Sequence, residues 1–156
     1  MAGEDWVMQW IARQAAAADR KRRQATLAER ADMIGPLAFK EISERFRSDV
    51  ERYTSATRDS ELEFKAVLGN GFTVAHHPFP AIALRFEIVA GSEMIFEIVS
   101  KKSASCKEKT QSGRVTLIAG SAQNDYHFIV EGDEVRDASD ISERLLTRVF
   151  EFLAAD

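Results

Sequence analysis

The chain has 156 residues, a formal net charge of −4 and 45% hydrophobic residues, which suits one folded domain with its own core. The acidic balance argues against broad nonspecific attraction to nucleic acid, and no apolar run approaches the ~20 residues that cross a bilayer, so we expect no membrane insertion. The single cysteine, Cys106, excludes an internal disulfide and favours a reducing, cytoplasmic setting.

The first third of the chain has the composition of a helix, because Ala, Glu, Arg, Leu and Gln dominate it and no β-type alternation occurs. Apolar residues recur every three or four positions from Leu27 to Tyr53, which places them on one helix face. Gly35-Pro36 interrupts this stripe, because a proline lacks the amide that would donate to Asp32. We therefore expect two N-terminal helices, or one sharply kinked helix.

The first of these helices is unusually long for a domain of this size. About 45 Å follows from a rise of 1.5 Å per residue, so the helix is expected to overhang its own domain. Its far end carries an apolar patch of four residues, Trp6, Val7, Trp10 and Ile11. Such a patch needs a covering surface.

Three interpretations compete for this N-terminal arm. In the first, a second copy of the protein buries Trp6, Trp10, Ile11 and the stripe that begins at Leu27, giving a homodimer. In the second, the helix packs back onto its own sheet. In the third, the tryptophans and the basic residues 20–23 contact a membrane surface or a nucleic acid, although the acidic residues beside the tryptophans argue against this.

The middle of the chain predicts antiparallel hairpins. A three-residue loop, Gly69 to Gly71, would pair Leu68 with Phe72 and Ala66 with Val74, which keeps the apolar side chains on one face. In the next hairpin, an odd-numbered loop around Gly91 likewise keeps both apolar rows together.

The register of that second hairpin sets Arg85 directly opposite Glu97 on the other face of the sheet. Such a cross-strand charge pair is worth roughly 0.2 to 1 kcal/mol. It is more often structural than catalytic.

The adjacent residues His76 and His77 raise the question of a metal site. Side chains of successive strand residues point to opposite faces, so the two imidazoles do not converge on one ion in a regular strand. We expect His76 to face inward near the strand end and His77 to lie on the surface, with no metal bound.

The last third combines a polar loop, further strands and a helix. Residues 101–113 contain four lysines, which suit either an acidic ligand or simple solubility. The spacing of Asp140 and Glu143 is that of a capping box and predicts a C-terminal helix. Its apolar stripe is expected to close the apolar face of the sheet and contains Ile141, Leu145, Val149, Phe152 and Leu153.

Together these elements predict an α+β fold, with about six antiparallel strands in hairpins between the N-terminal helices and a C-terminal helix packed on the apolar sheet face. Residues 1–57 form the helical arm and residues 58–156 the sheet with its C-terminal helix, and both belong to one folded unit. Which sheet face the N-terminal helices cover depends on the break at Gly35-Pro36.

No nucleotide-binding, hydrolase or metalloprotease motif occurs in the sequence, so neither an enzyme nor a cofactor is indicated. The leading hypothesis is a non-catalytic interaction module that self-associates through its arm and uses the second sheet face for a protein or small ligand. On that face His77, Arg85, Glu97 and His127 are weak candidates for ligand binding. Alternatives are a small-molecule-processing enzyme that uses these four residues, or nucleic-acid binding through the basic arm segment.

Overall fold

The computed structural model describes residues 2–67, 69–120, 122 and 125–155. It contains two helices and a seven-stranded antiparallel sheet, whose strands are neighbours in sequential order, so the α+β class is confirmed. The sequence predicted about six strands, because the three-residue β7 is too short to show an alternation. In chain order the elements are α1 (Ala2–Thr57), β1 (Leu62–Val67), β2 (Gly71–His76), β3 (Ala81–Ala90), β4 (Glu93–Lys101), β5 (Lys109–Ala119), β6 (Tyr126–Val130), β7 (Asp133–Val135) and α2 (Ala138–Ala154).

α1 is one helix of 56 residues with Pro36 inside it, so the prediction of two helices separated at Gly35-Pro36 is wrong. At this point the helix lies against the turn between β3 and β4. A Cβ atom on Gly35 would stand 1.4 Å from the carbonyl oxygen of Gly91, and one on Gly91 would stand 2.9 Å from the carbonyl oxygen of Asp32. That second carbonyl is the one left without its intrahelical amide by the proline. The helix therefore continues through Pro36 at the place where a turn packs against it.

One hydrophobic core unites the second half of α1, one face of the sheet and α2. Alternate residues of each central strand are buried, as a one-sided antiparallel sheet requires. Aromatic rings fill the centre: Phe72 lies 4.9 Å from Phe46 and 5.2 Å from Phe86, ring centre to ring centre. The helices contribute Ala31, Ala38, Ile42, Phe46 and Val50 from α1 and Ile141, Leu145, Leu146 and Val149 from α2.

The first hairpin has the predicted faces but a different register. Ala66 pairs with Phe72 and Phe64 pairs with Val74, a shift of two residues from the prediction. Because the shift is even, the apolar side chains stay on the same face. The pairing predicted for Leu68 lies outside the described residues.

The second hairpin confirms the predicted register, with Arg85 opposite Glu97. A bulge between Ile88 and Ala90 brings the strands to the turn at Gly91. This turn is the one that α1 crosses.

The N-terminus of α2 differs from the capping box predicted at Asp140. The helix begins at Ala138, and Asp137 is the N-cap, whose side chain accepts a hydrogen bond of 3.0 Å from the amide of Asp140. Inside the helix, Ser142 is fully buried and donates a hydrogen bond of 2.7 Å to Asp49 of α1. A polar contact therefore joins the two helices beside the core.

Candidate functional site

The first half of α1 is largely exposed to solvent. Of residues 5–26, only Ala17 and Ala18 are even half-buried, whereas burial by the rest of the chain begins at Leu27 and Ala31. This exposed segment, residues 5–26, is the projecting part of the helical region predicted for residues 1–57, and only this part is called the arm below. Local sequence explains its helicity, since Ala, Arg and Gln are strong helix formers. At 1.5 Å per residue its 22 residues extend about 33 Å from the folded body.

The end of the arm exposes large apolar side chains. Trp6 is 62% exposed and Trp10 is 55% exposed, and Val7, Met8 and Ile11 beside them are exposed as well. Adjacent exposed apolar residues of this size mark interaction surfaces in folded proteins. We call Trp6, Val7, Trp10 and Ile11 the arm patch.

The arm patch continues the core-facing side of α1. Trp6 and Ile42 are 36 residues apart, as are Trp10 and Phe46, and 36 residues make ten turns of a regular helix. Each tryptophan therefore points to the same side as a residue that is fully buried against the sheet. The arm patch and the buried stripe of α1 therefore lie on the same side of the helix, and the protein's own sheet covers only the stripe.

This arrangement favours different interpretations for the two halves of α1. The stripe from Ala31 to Val50 is buried within its own chain, so a second copy is not needed to cover it. Leu27, assigned to self-association from the sequence, is partly buried against this same core. Trp6, Trp10 and Ile11 remain uncovered.

The four weak ligand-binding candidates do not come together. Arg85 and Glu97 are neighbours on β3 and β4, and both are exposed. His127 pairs with Ile118 of β5, whereas Glu97 pairs with Ser112, six residues or about 20 Å away along that strand. A single small ligand on this face therefore does not reach both Glu97 and His127.

His77 also lies away from the charged pair formed by Arg85 and Glu97. It is exposed and follows the last residue of β2, at the opposite end of the sheet from His127. The enzyme hypothesis required these side chains to converge on one pocket, and this requirement is not met.

His76 has partners that the sequence did not reveal. Its ring nitrogen Nδ1 lies 2.8 Å from the carbonyl oxygen of Pro80, and Nε2 lies 3.4 Å from a carboxylate oxygen of Asp59. The imidazole is 8% exposed, so it ties the α1–β1 connection to the start of β3. Among the described residues, no group of three His, Cys, Asp or Glu side chains is arranged to hold a metal ion.

The second sheet face, the one that carries Arg85, remains open in the described part of the chain. Both helices contribute their buried residues to the core on the other face. Val67 is 50% exposed and Ile118 39%, while Ile95 and Ile129 are half-buried. The N-terminal helix therefore leaves this mixed apolar and charged face uncovered.

The helices also form a groove of about 430 Å³ between α1 and α2. At its base Asp49 accepts hydrogen bonds from Arg45 (3.1 Å) and from the buried Ser142 (2.7 Å). Tyr53 and Phe150 stack at 4.1 Å beside it. These polar groups satisfy one another's hydrogen bonds. We therefore interpret the groove as part of the packing between the two helices.

Neither α1 nor α2, over the residues described, combines the length and apolarity of a membrane-spanning helix. The chain matches no protein-family model, and neither a curated protein nor a solved structure is significantly similar to it.

Proposed function

We propose that this protein is a non-catalytic interaction module that forms a homodimer through its N-terminal arm. The observation that carries the proposal is the exposure of Trp6 and Trp10 on a helix that projects beyond the folded body. Large apolar side chains exposed together on such a helix are unfavourable in water. A covering partner supplies the missing burial for both the helix and the tryptophans.

The residue pattern of the arm suits a second arm as that partner. Apolar or small residues recur at the spacing of a two-helix seam. Gln14 lies in the middle of the seam, where a polar residue fixes the register of paired helices. The seam contains Trp6, Val7, Trp10, Ile11, Gln14, Ala17 and Ala18.

An antiparallel pair centred on Gln14 gives complementary contacts. Residues equally far from Gln14 on either side then lie opposite one another, so that Trp10 meets Ala18 and Ile11 meets Ala17. Trp10 and Ile11 are thus each set against an alanine, which permits close helix packing.

Charge also favours the antiparallel arrangement. Residues 20–23 carry four positive charges, whereas the start of the arm is acidic at Asp5. Antiparallel pairing brings the acidic end of one arm to the level of the partner's basic segment. Parallel pairing would instead place two basic segments side by side, and like charges at that distance repel.

Disulfide cross-linking tests this geometry, in a chain whose native cysteine is removed by Cys106→Ser. Gln14→Cys is expected to form a disulfide-linked dimer, because the two copies of residue 14 meet at the twofold axis. Val7→Cys alone is expected not to do so, because its two copies are 14 residues, or about 21 Å, apart. A mixture of Val7→Cys and Lys21→Cys chains is expected to cross-link, since both lie seven residues from Gln14.

The matched control is Ala12→Cys, which lies two residues from Gln14 but on the opposite side of the helix. It is expected to stay unlinked. Self-linking of Val7→Cys would indicate parallel arms and contradict the antiparallel pair. Equal linking of Ala12→Cys and Gln14→Cys would mean that collisions, and not a defined dimer, produce the disulfides.

We further propose that the second sheet face is the surface that each protomer offers to another protein. Val67 and Ile118 support this, because they are exposed apolar residues on an extended face, a shape better suited to a protein than to a small molecule. The face is independent of the arm, so the two functions can be separated by substitution.

A further inference from the structure

A cavity of about 470 Å³ lies at the end of the sheet where β4 and β5 meet the last turn of α2. Its volume is typical of a site for a small molecule. Its lining combines lysines with an aromatic ring and comprises Ser100, Lys102, Cys106, Lys107, Lys109, Gln111 and Phe152.

The strand register shows that this cavity opens on the core-facing side of the sheet. Ser100 pairs with Lys109, and Ile98 pairs with Gln111. Ile98 is buried in the core, and side chains two residues apart on a strand share a face. Ser100, Lys109 and Gln111 therefore continue the core-facing row, but with polar side chains.

A lysine used only for solubility has no need to stand on the inner face, beside an aromatic side chain of α2. Phe152 provides the apolar wall there and is half-buried. The loop after β4 adds Lys102 and Lys107 to the rim of the same cavity.

The electrostatics of the cavity favour a negatively charged ligand. Three lysines line it and no acidic residue does. Within the described part of the chain, none of the three forms an ion pair. Ammonium groups gathered around a concave surface concentrate anions there, and an ionised donor makes the stronger kind of hydrogen bond.

We propose that this cavity binds a small organic anion, a carboxylate or a phosphate ester with an apolar body. Lys102, Lys107 and Lys109 hold the charged group, while Phe152 packs against the apolar part. The site is separate from the arm, so its occupancy does not depend on the proposed dimer.

Cys106 supplies a built-in reporter, because it is the only cysteine of the chain and its exposed thiol lines the cavity. The test is the rate at which neutral iodoacetamide alkylates the full-length protein, with and without phenyl phosphate or benzoate. A bound anion is expected to slow alkylation, and the protection curve gives its affinity. Inorganic phosphate, which lacks the apolar body, is expected to bind more weakly than phenyl phosphate.

Substitutions test which side chains bind the anion. Lys107→Gln and Lys109→Gln are each expected to weaken protection by about tenfold, since each removes a charge-assisted hydrogen bond. Phe152→Ala should weaken protection by phenyl phosphate more than protection by inorganic phosphate. Lys65→Gln is the matched control, because Lys65 lies on the opposite face of the sheet, and it is expected to change nothing.

Either of two results would overturn the proposal: alkylation that neither anion slows at millimolar concentration, or protection that is unchanged in Lys107→Gln and Lys109→Gln. Protection by only one of the two anions would support the site and identify whether carboxylate or phosphate is its ligand. Thermal melting of each variant shows that the fold is intact, so a loss of protection is assigned to the cavity.

Discussion

Gly35 of α1 and Gly91 of the β3–β4 turn are in backbone contact, and neither position has room for a Cβ atom. This contact fixes where the long helix crosses the sheet. Contacts with the folded body continue N-terminal to it as far as Ala31 and Leu27, and the arm begins beyond them.

Gly35→Ala is expected to destabilise the protein although alanine is the better helix former. The added Cβ would stand 1.4 Å from the carbonyl oxygen of Gly91, so the helix or the turn must move. We expect a loss of about 2 kcal/mol or more, since overpacking outweighs the ~1 kcal/mol gained in helix propensity. Urea denaturation measures it. Met33→Ala, at a position that is 79% exposed, should stay within about 0.5 kcal/mol of the parent chain.

Ser142→Ala is expected to weaken the packing of α2 against α1. The Ser142 hydroxyl is fully buried and donates to Asp49, whose carboxylate also accepts from Arg45. Removing one donor from a partly buried carboxylate costs about 1–3 kcal/mol. A double-mutant cycle of Ser142→Ala with Asp49→Ala, followed by chemical denaturation, should give a coupling energy of about 1 kcal/mol. Additive effects would show that the hydrogen bond contributes nothing to stability.

The raised pKa values of Tyr53 and Tyr126 predict that the folded state loses stability at alkaline pH. Burial raises the pKa of Tyr53, and the nearby Asp59 carboxylate raises it further. Burial also raises the pKa of Tyr126, as does the 2.9 Å hydrogen bond that its hydroxyl donates to Glu41. Because both pKa values are raised on folding, their stabilisation is complete below the ordinary tyrosine value of about 10. It is lost as pH rises through the folded-state values.

Ultraviolet absorption during alkaline titration checks this directly, since ionised tyrosine has its own absorption band. Both tyrosines of the folded protein should ionise above pH 10, and both should return to about 10 in denaturant. Tyr126→Phe should leave one late-titrating group. A folded protein in which either tyrosine ionises at its ordinary pH would contradict the packing described for that residue.

The second sheet face predicts that a charge can be added without loss of fold. Ile118→Glu changes a side chain that is 39% exposed and lies outside the core, so we expect a stability change below about 1 kcal/mol. Leu117→Glu is the matched substitution on the buried face, where an unpaired charge should prevent folding. If Ile118→Glu unfolds the protein as Leu117→Glu does, this face is not the open surface described.

Much of the sheet could be predicted because strand alternation has a period of two. The pairing of Arg85 with Glu97 followed from keeping two apolar rows together, and so did the faces of the first hairpin. Its exact pairs did not follow, because moving a register by two residues leaves every side chain on the same face. Turn geometry decides between such registers, and glycine-rich loops allow several.

The sequence left open whether α1 is continuous, because a tertiary contact decides it. Proline removes one intrahelical hydrogen bond wherever it occurs, and the sequence does not reveal that Gly91 packs beside the freed carbonyl of Asp32. The sequence allowed an acidic ligand at the lysine-rich loop but did not reveal the cavity there. The core-facing parity of Ser100, Lys109 and Gln111 is its signal, whereas a lysine-rich loop alone is typical of a solvated surface.

Self-association through the arm is measured by the solution mass of the full chain, determined by light scattering over a range of concentrations. The chain mass is 17.5 kDa, and we expect twice this value for the parent protein and the monomer value for Trp6→Ala/Trp10→Ala. A chain that begins at Thr26 keeps every buried residue and should also be a folded monomer. A parent protein that stays at 17.5 kDa at all concentrations, or a dimer that survives both changes, would contradict the arm as the site of self-association.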